Sequence, residues 1–344
     1  MVSPIMRAPA TGIAVGVLAD AVFADPRRWH PVAGFGLLAT RLERHTYHDA
    51  RWAGAGHTVA LLSTVAVAAL AGERAARSGP CTSVAFTAAA TFAALGGTSL
   101  CRVGVRLADL LDDGDVAGAR LLLPSLCGRD PSVLDADGLT RAATESLAEN
   151  TSDAQVAPLV WAAVAGVPGL LVYRAANTLD AMIGNRSERY LRFGWAAARF
   201  DDLLNYLPAR VTGVLTAVCA SVVGGSAVTA LRAWRRDAHR HPSPNAGVAE
   251  AAFAGALGVR LGGPTQYAHE LEIRPTLGDG RHPVPADLRR AVRLSRAVQV
   301  AAAILAVAVS AAGRSGRPVC PRGSRGRSTP RRPCRGGAAG SRRR

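Results

Sequence analysis

The sequence contains no lysine, and all 41 of its Lys or Arg residues are arginine. This absence excludes several kinds of chemistry. A Walker-A phosphate loop needs a Gly-Lys pair, a protein kinase needs its strand lysine, and a Schiff-base enzyme, including one that uses pyridoxal phosphate, needs a reactive amine. If such a chain handles ATP, arginines, metal ions and backbone groups have to hold the phosphates.

Paired cysteine motifs are missing too. The six cysteines form no C-x-x-C pair, so the spacing indicates no zinc site, iron–sulfur cluster or disulfide framework. Acidic residues are absent from the last 31 residues, which hold eleven arginines among glycine, proline and serine. Such a composition has little to bury, so residues 313–344 are predicted to be a disordered tail. Nucleic-acid binding through the tail is the less favoured alternative, and no nucleic-acid partner is expected.

Hydrophobic residues make up 49% of the chain and are concentrated in blocks. Residues 55–72, 81–100, 154–173 and 207–231 come close to the ~20 apolar residues that a membrane span requires, whereas 11–24 and 297–312 are short. Residues 1–312 are therefore predicted to be an all-α, polytopic integral membrane domain with four to six hydrophobic helices and polar helical loops. The alternative is a large soluble protein with buried helices.

The polar string ESLAENTSD, residues 145–153, runs directly into the 154–173 block. In a helix, Glu145 and Glu149 share a face, and Asp153 lies one turn further along it. Carboxylate oxygens of this kind suit Mg²⁺. A solvated helix end, in which Asn150 or Asp153 caps the next segment, is the alternative.

Part of this string is repeated after the same block. N-T-S-D at 150–153 recurs as N-T-L-D at 177–180, so Asn177 and Asp180 repeat the earlier pattern. A continuous helix would separate the two motifs by ~40 Å. They converge only if the block doubles back, and Val167-Pro168-Gly169 is the predicted place for the turn. Chance recurrence is the alternative.

Arginines and prolines surround the remaining candidates. Arg174 and Arg186 follow the block, and their planar forks match phosphate geometry; a juxtamembrane helix with ion pairs is the alternative. His241 and Asn245 stand in the proline-rich loop HPSPNAG, and His30 stands in DPRRWHPV. Loops of this kind present a ring or an amide rigidly, or are only turns.

These segments resemble one family. The motifs are DPRRWHPV, ESLAENTSDAQVAPLVW, YRAANTLDAMIGNRSERYLRFGWAAARFDDLLNYLPAR and HPSPNAGVAEAAFAGALGVRLGGP. In this order they are similar to the CobD/CbiB membrane proteins of cobalamin biosynthesis, from about residue 11 to 312. The resemblance implies an adenosylcobinamide-phosphate synthase that uses ATP and Mg²⁺. Its substrates would be adenosylcobyric acid, a corrinoid, and (R)-1-amino-2-propanol or its O-phosphate. The sequence departs from the family pattern at Val248, Ala249, Phe253 and 265–269.

The resemblance also suggests roles for the residues above. The metal-binding candidates are Glu145, Glu149, Asp153 and Asp180. The cofactor-binding candidates are Asn150, Asn177 and Asn245. The catalytic candidates are His241 or His30 as the base and Arg174 or Arg186 for phosphate charge.

The expected location is the cell membrane, crossed several times, with the active site facing the cytoplasm. Lipid and other cobalamin-biosynthesis enzymes are the expected partners. Two rival functions remain at this point. One is a transporter whose ion path uses Asp20, Asp153 and Asp180, and the other is a non-catalytic scaffold for corrinoid enzymes.

Overall fold

The computed structural model describes residues 4–25, 30–266 and 271–312. The predicted arginine-rich tail, residues 313–344, lies outside the described residues. Within the described residues the chain forms twelve α-helices and one two-stranded sheet. The helices are α1 (Pro4–Phe23), α2 (Pro31–Thr46), α3 (Arg51–Ala76), α4 (Pro80–Ala94), α5 (Gly97–Asp112), α6 (Val116–Leu122), α7 (Ala136–Thr151), α8 (Ala157–Ile183), α9 (Trp195–Cys219), α10 (Ala227–Asp237), α11 (Ala246–Leu257) and α12 (Pro285–Ala312).

Five helical segments are long and apolar enough to cross a membrane, which confirms a helical polytopic architecture. They are Arg51–Ala76, Pro80–Asp112, Ala136–Ile183, Trp195–Val223 and Pro285–Ala312. The last contains the block at 297–312 that is marginal on its own. It reaches spanning length because α12 begins at Pro285, a favourable first-turn position for proline. The apolar part of α1, Ala8–Phe23, is shorter.

The helices pack around α12, which contacts α1, α5, α7, α8 and α9. Small residues allow a close approach between α1 and α4. A Cβ at Gly12 would lie 2.5 Å from Thr87 Cβ, and one at Gly16 would lie 2.5 Å from Thr91 Cβ. The G-x-x-x-G spacing therefore places both glycines on the face of α1 that meets α4.

Polar side chains also join the helices inside this bundle. The Ser295 hydroxyl on α12 accepts hydrogen bonds from Thr151 Oγ1 (2.7 Å) and Gln155 Nε2 (2.9 Å). Asp20 on α1 is fully buried and accepts from Thr98 and Gln299. These contacts fix the end of α7 against α12 and so fix the residues that follow it.

The sheet is the one element within the described residues that the all-α prediction missed. Strands β1 (Leu261–Gln266) and β2 (Leu271–Leu277) pair antiparallel, with an irregularity between Leu261 and Gly263. The segment LGGP lies in β1 although glycine and proline are poor strand formers. The positive φ of Gly262 (84°) and Gly263 (92°) explains why glycine stands there.

Candidate functional site

The apolar block at 154–173 doubles back, as predicted. Gly166 has φ 66° and ψ −160°, a conformation that only glycine adopts readily, and the chain reverses there. Pro168 follows the turn, so the predicted position of the turn was one residue too late. The Tyr173 hydroxyl donates to the Asp153 carbonyl oxygen at 2.9 Å, although twenty residues separate them. The reversal therefore brings the two N-T-x-D motifs together.

Five predicted site residues share one cleft of about 290 Å³, named here the acidic cleft. Glu149, Asn150 and Asp153 line one side, and Asn177 and Asp180 line the other. The remaining lining residues are Leu126, Cys127, Gly128, Arg129, Ser146, Ala181 and Arg274. The Glu149, Asp153 and Asp180 carboxylates are half-buried, and among the described residues none of them has a hydrogen bond or an ion pair. They are therefore available to a cation or a ligand.

A π-helical turn, Ser152–Val156, separates α7 from α8 and contains Asp153. Turns of this kind insert one extra residue per helical turn and occur often at functional sites. The Asp153 carbonyl oxygen is bound by Tyr173, whose hydroxyl also lies 2.9 Å from Asn205 Oδ1. Asn205 in turn donates to Asp201 at 2.9 Å. The backbone at Asp153 is thus held in place by α8 and α9.

Glu145 lies behind the acidic cleft and does not line it. Its carboxylate accepts from the Arg129 guanidinium and from the Gly262 amide (2.6 Å). Both Glu145 and Arg129 are buried. Since its oxygens are already bound, Glu145 holds Arg129 and β1 in place. Three of the four expected metal ligands therefore face the cleft.

Arg129 and Arg274 are site residues that sequence reasoning missed. Both line the acidic cleft, where they face Glu149. Arg129 stands in the loop CGRDPS, whose composition indicates only a turn. Arg274 arrives on β2, a strand that the sequence did not predict. No local signal separates either residue from the other arginines.

His241 belongs to a buried group beside the acidic cleft. Its Nδ1 accepts from the Ser243 amide at 3.1 Å, and its Nε2 lies 3.6 Å from Glu250 Oε1 and 3.5 Å from Arg274. Burial raises the pKa of Glu250 well above its usual range, and the charges of Glu145 and Glu149 raise it further. A carboxyl group with a raised pKa next to an imidazole forms a pair able to share and transfer a proton.

The other four predicted residues lie around this centre. Arg174 donates to Asn177 Oδ1 at 3.2 Å and so touches the cleft wall. Arg186 lines a neighbouring cleft. Asn245 does not line the acidic cleft, because its amide donates to the Asp202 carbonyl oxygen and accepts from Arg210, both at 2.7 Å. His30 caps α2, with its Nε2 3.6 Å from Asp25 Oδ1.

The residues present fit a magnesium site that relies on its ligand. Among the described residues, no three His, Cys, Asp or Glu side chains form a ready metal-binding group. Mg²⁺ usually takes only one or two protein carboxylates and completes its octahedron with water and phosphate oxygens. The acidic cleft offers three carboxylates that have no hydrogen-bond partner among the described residues, enough to supply the one or two that Mg²⁺ takes. The two arginines beside them suit the phosphate that would complete the site.

A larger cleft, of about 490 Å³, lies at the far end of α11 and is lined by Gly224, Gly258, Arg232 and Arg290 among others. It holds none of the predicted site residues. Size alone therefore does not identify the functional site, and the convergence of unpartnered carboxylates is the better guide.

Comparisons with known proteins find related sequences. The sequence model of the family described as CobD/Cbib protein matches residues 13–295. Proteins named Cobalamin biosynthesis protein CobD are similar to the chain. The protein from Mycobacterium bovis is 64% identical over 307 residues, covering 89% of this chain and 97% of the relative. The one from Mycobacterium tuberculosis is 65% identical over 298 residues, with 87% and 95% covered. The one from Chromobacterium violaceum is 42% identical over 313 residues, with 86% and 97% covered. No solved structure gives a significant match.

Proposed function

The chain belongs to the CobD/CbiB family, and from that membership we propose that it acts in cobalamin biosynthesis as an ATP- and Mg²⁺-dependent ligase. The reaction joins the free propionate carboxylate of adenosylcobyric acid to (R)-1-amino-2-propanol or its O-phosphate. The observation that carries the proposal is the acidic cleft, in which three unpartnered carboxylates face Arg129 and Arg274.

Glu149, Asp153 and Asp180 would hold the magnesium ion, and Asn150 and Asn177 would orient the nucleotide beside it. When bound, Mg²⁺ neutralises charge on the phosphoryl group that is transferred. Arg174 and Arg186 complement that charge, since each lies within or next to the wall of the cleft. Arg129 and Arg274 face the same space and add two further positive charges.

The proposed ligation proceeds in two steps. A propionate oxygen attacks the γ-phosphorus of ATP, the bond to the bridging oxygen breaks, and ADP leaves. The amine nitrogen then attacks the acyl carbon of the resulting acyl phosphate, and inorganic phosphate leaves with the bonding electrons. The proton released from nitrogen passes to the His241–Glu250 pair, which borders the cleft through Arg274. His30 is the less suitable base, because its ring caps α2 beside Asp25.

The site is proposed to face the cytoplasm, where ATP is found. Polar side chains at the ends of apolar helices suit such a position, because irregular backbone at membrane depth is tolerated where it lines a cavity. The corrinoid would approach from the same side. Lipid would surround the five apolar segments.

The test is to purify the full chain in detergent and supply adenosylcobyric acid, Mg²⁺–ATP and each amine. We expect mass spectrometry to detect the amide product and one ADP per amide. Asp153→Asn and Asp180→Asn should each reduce the rate at least about hundredfold, since each carboxylate would hold the metal ion whose charge on the transferred group is worth several kcal/mol. Asp137→Asn is the matched control, because Asp137 is exposed in the first turn of α7.

Wild-type protein that is well folded yet forms no amide would refute the ligase. ADP release without corrinoid would point to a transporter or another ATPase instead. Undiminished rates in both the Asp153 and Asp180 variants would refute the metal site alone.

A further inference from the structure

The apolar segment Pro80–Asp112 is long enough to cross a membrane, but its helix is interrupted within that length. Helix α4 ends at Ala94 and α5 begins at Gly97, and Leu95 between them is extended, with φ −79° and ψ 152°. We name Leu95 and Gly96 the helix break. In membrane proteins, interrupted helices of this kind present backbone carbonyls and helix ends that bind cations.

Asp20 on α1 lies at the level of the helix break. A Cβ at Gly16 would lie 2.5 Å from Thr91 Cβ, and the two glycine contacts described above advance in the same direction along α1 and α4. One further turn along both helices places Asp20 opposite Leu95. The first turn of α5 agrees with this position, because the Thr98 amide and hydroxyl donate to Asp20 Oδ2 at 3.3 and 3.0 Å.

The Asp20 carboxylate has no cationic partner among the described residues. Its Oδ2 accepts three hydrogen bonds, two from Thr98 and one from Gln299 Nε2 at 3.0 Å, whereas its Oδ1 is buried and accepts none. All of these donors are neutral, and Asp25 adds a second negative charge nearby. Burying a carboxylate without a counter-charge is costly, so this position favours a cation.

Two more oxygens near the helix break are buried and have no hydrogen-bond partner in the described part of the chain. Thr91 Oγ1 lies in the last turn of α4. A threonine inside a helix commonly donates to the carbonyl four residues before it, as several others in this chain do. Gln155 Oε1 lies in the π-helical turn, next to Ala154, whose carbonyl oxygen accepts from the Gly96 amide at 3.1 Å.

We propose that Asp20 Oδ1, Thr91 Oγ1 and Gln155 Oε1 bind one monovalent cation, Na⁺, at the helix break. One carboxylate balances one positive charge, and oxygen donors suit a hard cation. The carbonyl end of α4 adds the negative end of a helix dipole. Na⁺ is smaller than K⁺ and so suits the close packing of α1 against α4. A proton on Asp20 is the competing way to neutralise the carboxylate.

The cation would join the interior of the bundle to the acidic cleft. Gln155 belongs to the same π-helical turn as Asp153. Its Nε2 donates to Ser295 and so already holds that turn against α12. Bound Na⁺ would hold α1 and α4 at the same point, and would thereby stabilise the backbone that presents Asp153 to the cleft. Na⁺ binding at this position does not depend on the reaction proposed above.

The experiment measures thermal unfolding of the full chain in neutral detergent, with NaCl, KCl or choline chloride at equal ionic strength. A ligand that binds only the folded state raises the unfolding midpoint by mass action. We expect Na⁺ to raise the wild-type midpoint by about 3 °C or more over choline, and K⁺ to have a smaller effect. Asp20→Asn should abolish the response. Thr91→Val should weaken the apparent affinity for Na⁺ at least about tenfold, since losing even an outer-shell partner of a metal can do so.

The matched control is Thr216→Val. Thr216 is also fully buried, and its hydroxyl also has no partner among the described residues, but it lies on α9, which packs against α8, α11 and α12. We expect its Na⁺ response to equal that of the wild type. Thr91→Val removes a hydroxyl that makes no hydrogen bond within the protein, so this variant is expected to fold even where Asp20→Asn does not.

Equal wild-type midpoints in Na⁺ and choline would overturn the proposal and favour a proton on Asp20. A wild-type Na⁺ response in Thr91→Val would overturn it as well, and an equal response to K⁺ would overturn the choice of ion. The outcomes for the ligase are distinct. A Na⁺ response that depends on Thr91, in a protein that forms no amide, would leave the cation site standing and refute the ligase. Amide formation by a protein whose midpoint does not respond to Na⁺ would do the reverse.

Discussion

At the scale of single residues, the site is organised by which carboxylates are already bound. Glu145 is held by Arg129 and the Gly262 amide, whereas Glu149 and Asp153, one and two turns further on, face the acidic cleft and have no hydrogen-bond partner among the described residues. The sequence places all three on one helical face, so it predicts them equally. The difference arises from β1 and from the loop before α7, which reach Glu145 from far along the chain.

Glu250 provides a sharper test of the chemistry than its neighbours. Burial raises the pKa of Glu250 well above its usual range, which favours the neutral form of the side chain in the folded protein. Glu250→Gln keeps the shape and the neutral charge, and we expect an unfolding midpoint close to that of the wild type. The rate of amide formation should fall at least about tenfold, because the amide side chain cannot exchange a proton with His241.

Two measurements check this prediction: thermal unfolding by light scattering in detergent, and amide formation across pH 6 to 9. Glu250→Ala serves as the comparison, since it leaves a void beside His241 and should lower the unfolding midpoint as well. A Gln variant with wild-type turnover at every pH would show that Glu250 is structural only.

At the residue scale, the sequence indicated which residues converge where a repeated pattern carried the signal. Asn150, Asp153, Asn177 and Asp180 were grouped because N-T-x-D recurs, and the structure places all four in one cleft. Arg129 and Arg274 carried no such signal, because arginine supplies every basic position in the chain. Tertiary contacts alone distinguish them.

At the scale of helices and strands, the turn at Gly166 determines whether the acidic cleft forms. Its φ of 66° and ψ of −160° suit glycine, and a side chain there costs about 1–3 kcal/mol. We expect Gly166→Ala to lower the unfolding midpoint and to weaken amide formation, since α8 would no longer return Asn177 and Asp180 to Asp153.

The matched control for this turn is Gly56→Ala. Gly56 lies inside α3, and a Cβ there meets no atom within 4 Å. Alanine favours a helix over glycine by up to about 1 kcal/mol, so this variant should be neutral or more stable. Equal unfolding midpoints for the two alanine variants would show that the reversal does not depend on glycine.

The β-hairpin is held in place by a different element, the end of α10. Asp237 is buried, accepts from Arg236 at 2.7 Å, and also accepts from the Gly278 amide at 2.9 Å, directly after β2. Burial alone would raise the pKa of Asp237, but the hydrogen bonds from Arg236 and Gly278 outweigh it and lower the pKa below its ordinary 3.8. The hairpin that carries Arg274 is thus tied down by an ionised carboxylate.

A depressed pKa gives a defined pH dependence. The ionised Asp237 stabilises the folded state above pH 3.8, and that contribution is lost as the pH falls through its lower folded value. Asp237→Asn should therefore lower the unfolding midpoint at pH 7, and the gap to the wild type should narrow between pH 4 and pH 3. A gap that stays constant over this range would contradict the assignment. Asp113→Asn, at the exposed C-terminus of α5, is the control.

Element-scale prediction was limited by local composition. The reversal near 167–169 was predictable because proline and glycine act locally. The hairpin was not, because Gly262, Gly263 and Pro264 oppose strand propensity, and the pairing depends on contacts with Glu145 and α10. The π-helical turn at Ser152–Val156 has no sequence signature.

At the scale of the whole molecule, the reversal at Gly166 bears on the membrane topology of residues 136–183. Residues 136–183 form one apolar helical segment by composition, yet the chain returns at Gly166. Arg129, which precedes this segment, and Asp180, near its end, therefore line the same acidic cleft, and no crossing of the membrane separates them. If the block crossed the bilayer instead, its two N-T-x-D motifs would lie on opposite faces of the membrane, where no single site could use them.

This arrangement is testable by labelling from each side of the membrane. In a cysteine-free background, Ser132→Cys and Glu188→Cys, both exposed, mark the two flanks of the reversing segment. Ser78→Cys, exposed after α3, marks the far end of a helix that begins at Arg51. We expect a membrane-impermeant maleimide to reach Ser132→Cys and Glu188→Cys in inside-out vesicles only, and Ser78→Cys in right-side-out vesicles only. Labelling of positions 132 and 188 from opposite sides would mean that α8 crosses the bilayer, and the shared cleft would then be untenable. Labelling of all three from one side would instead show that α3 does not span.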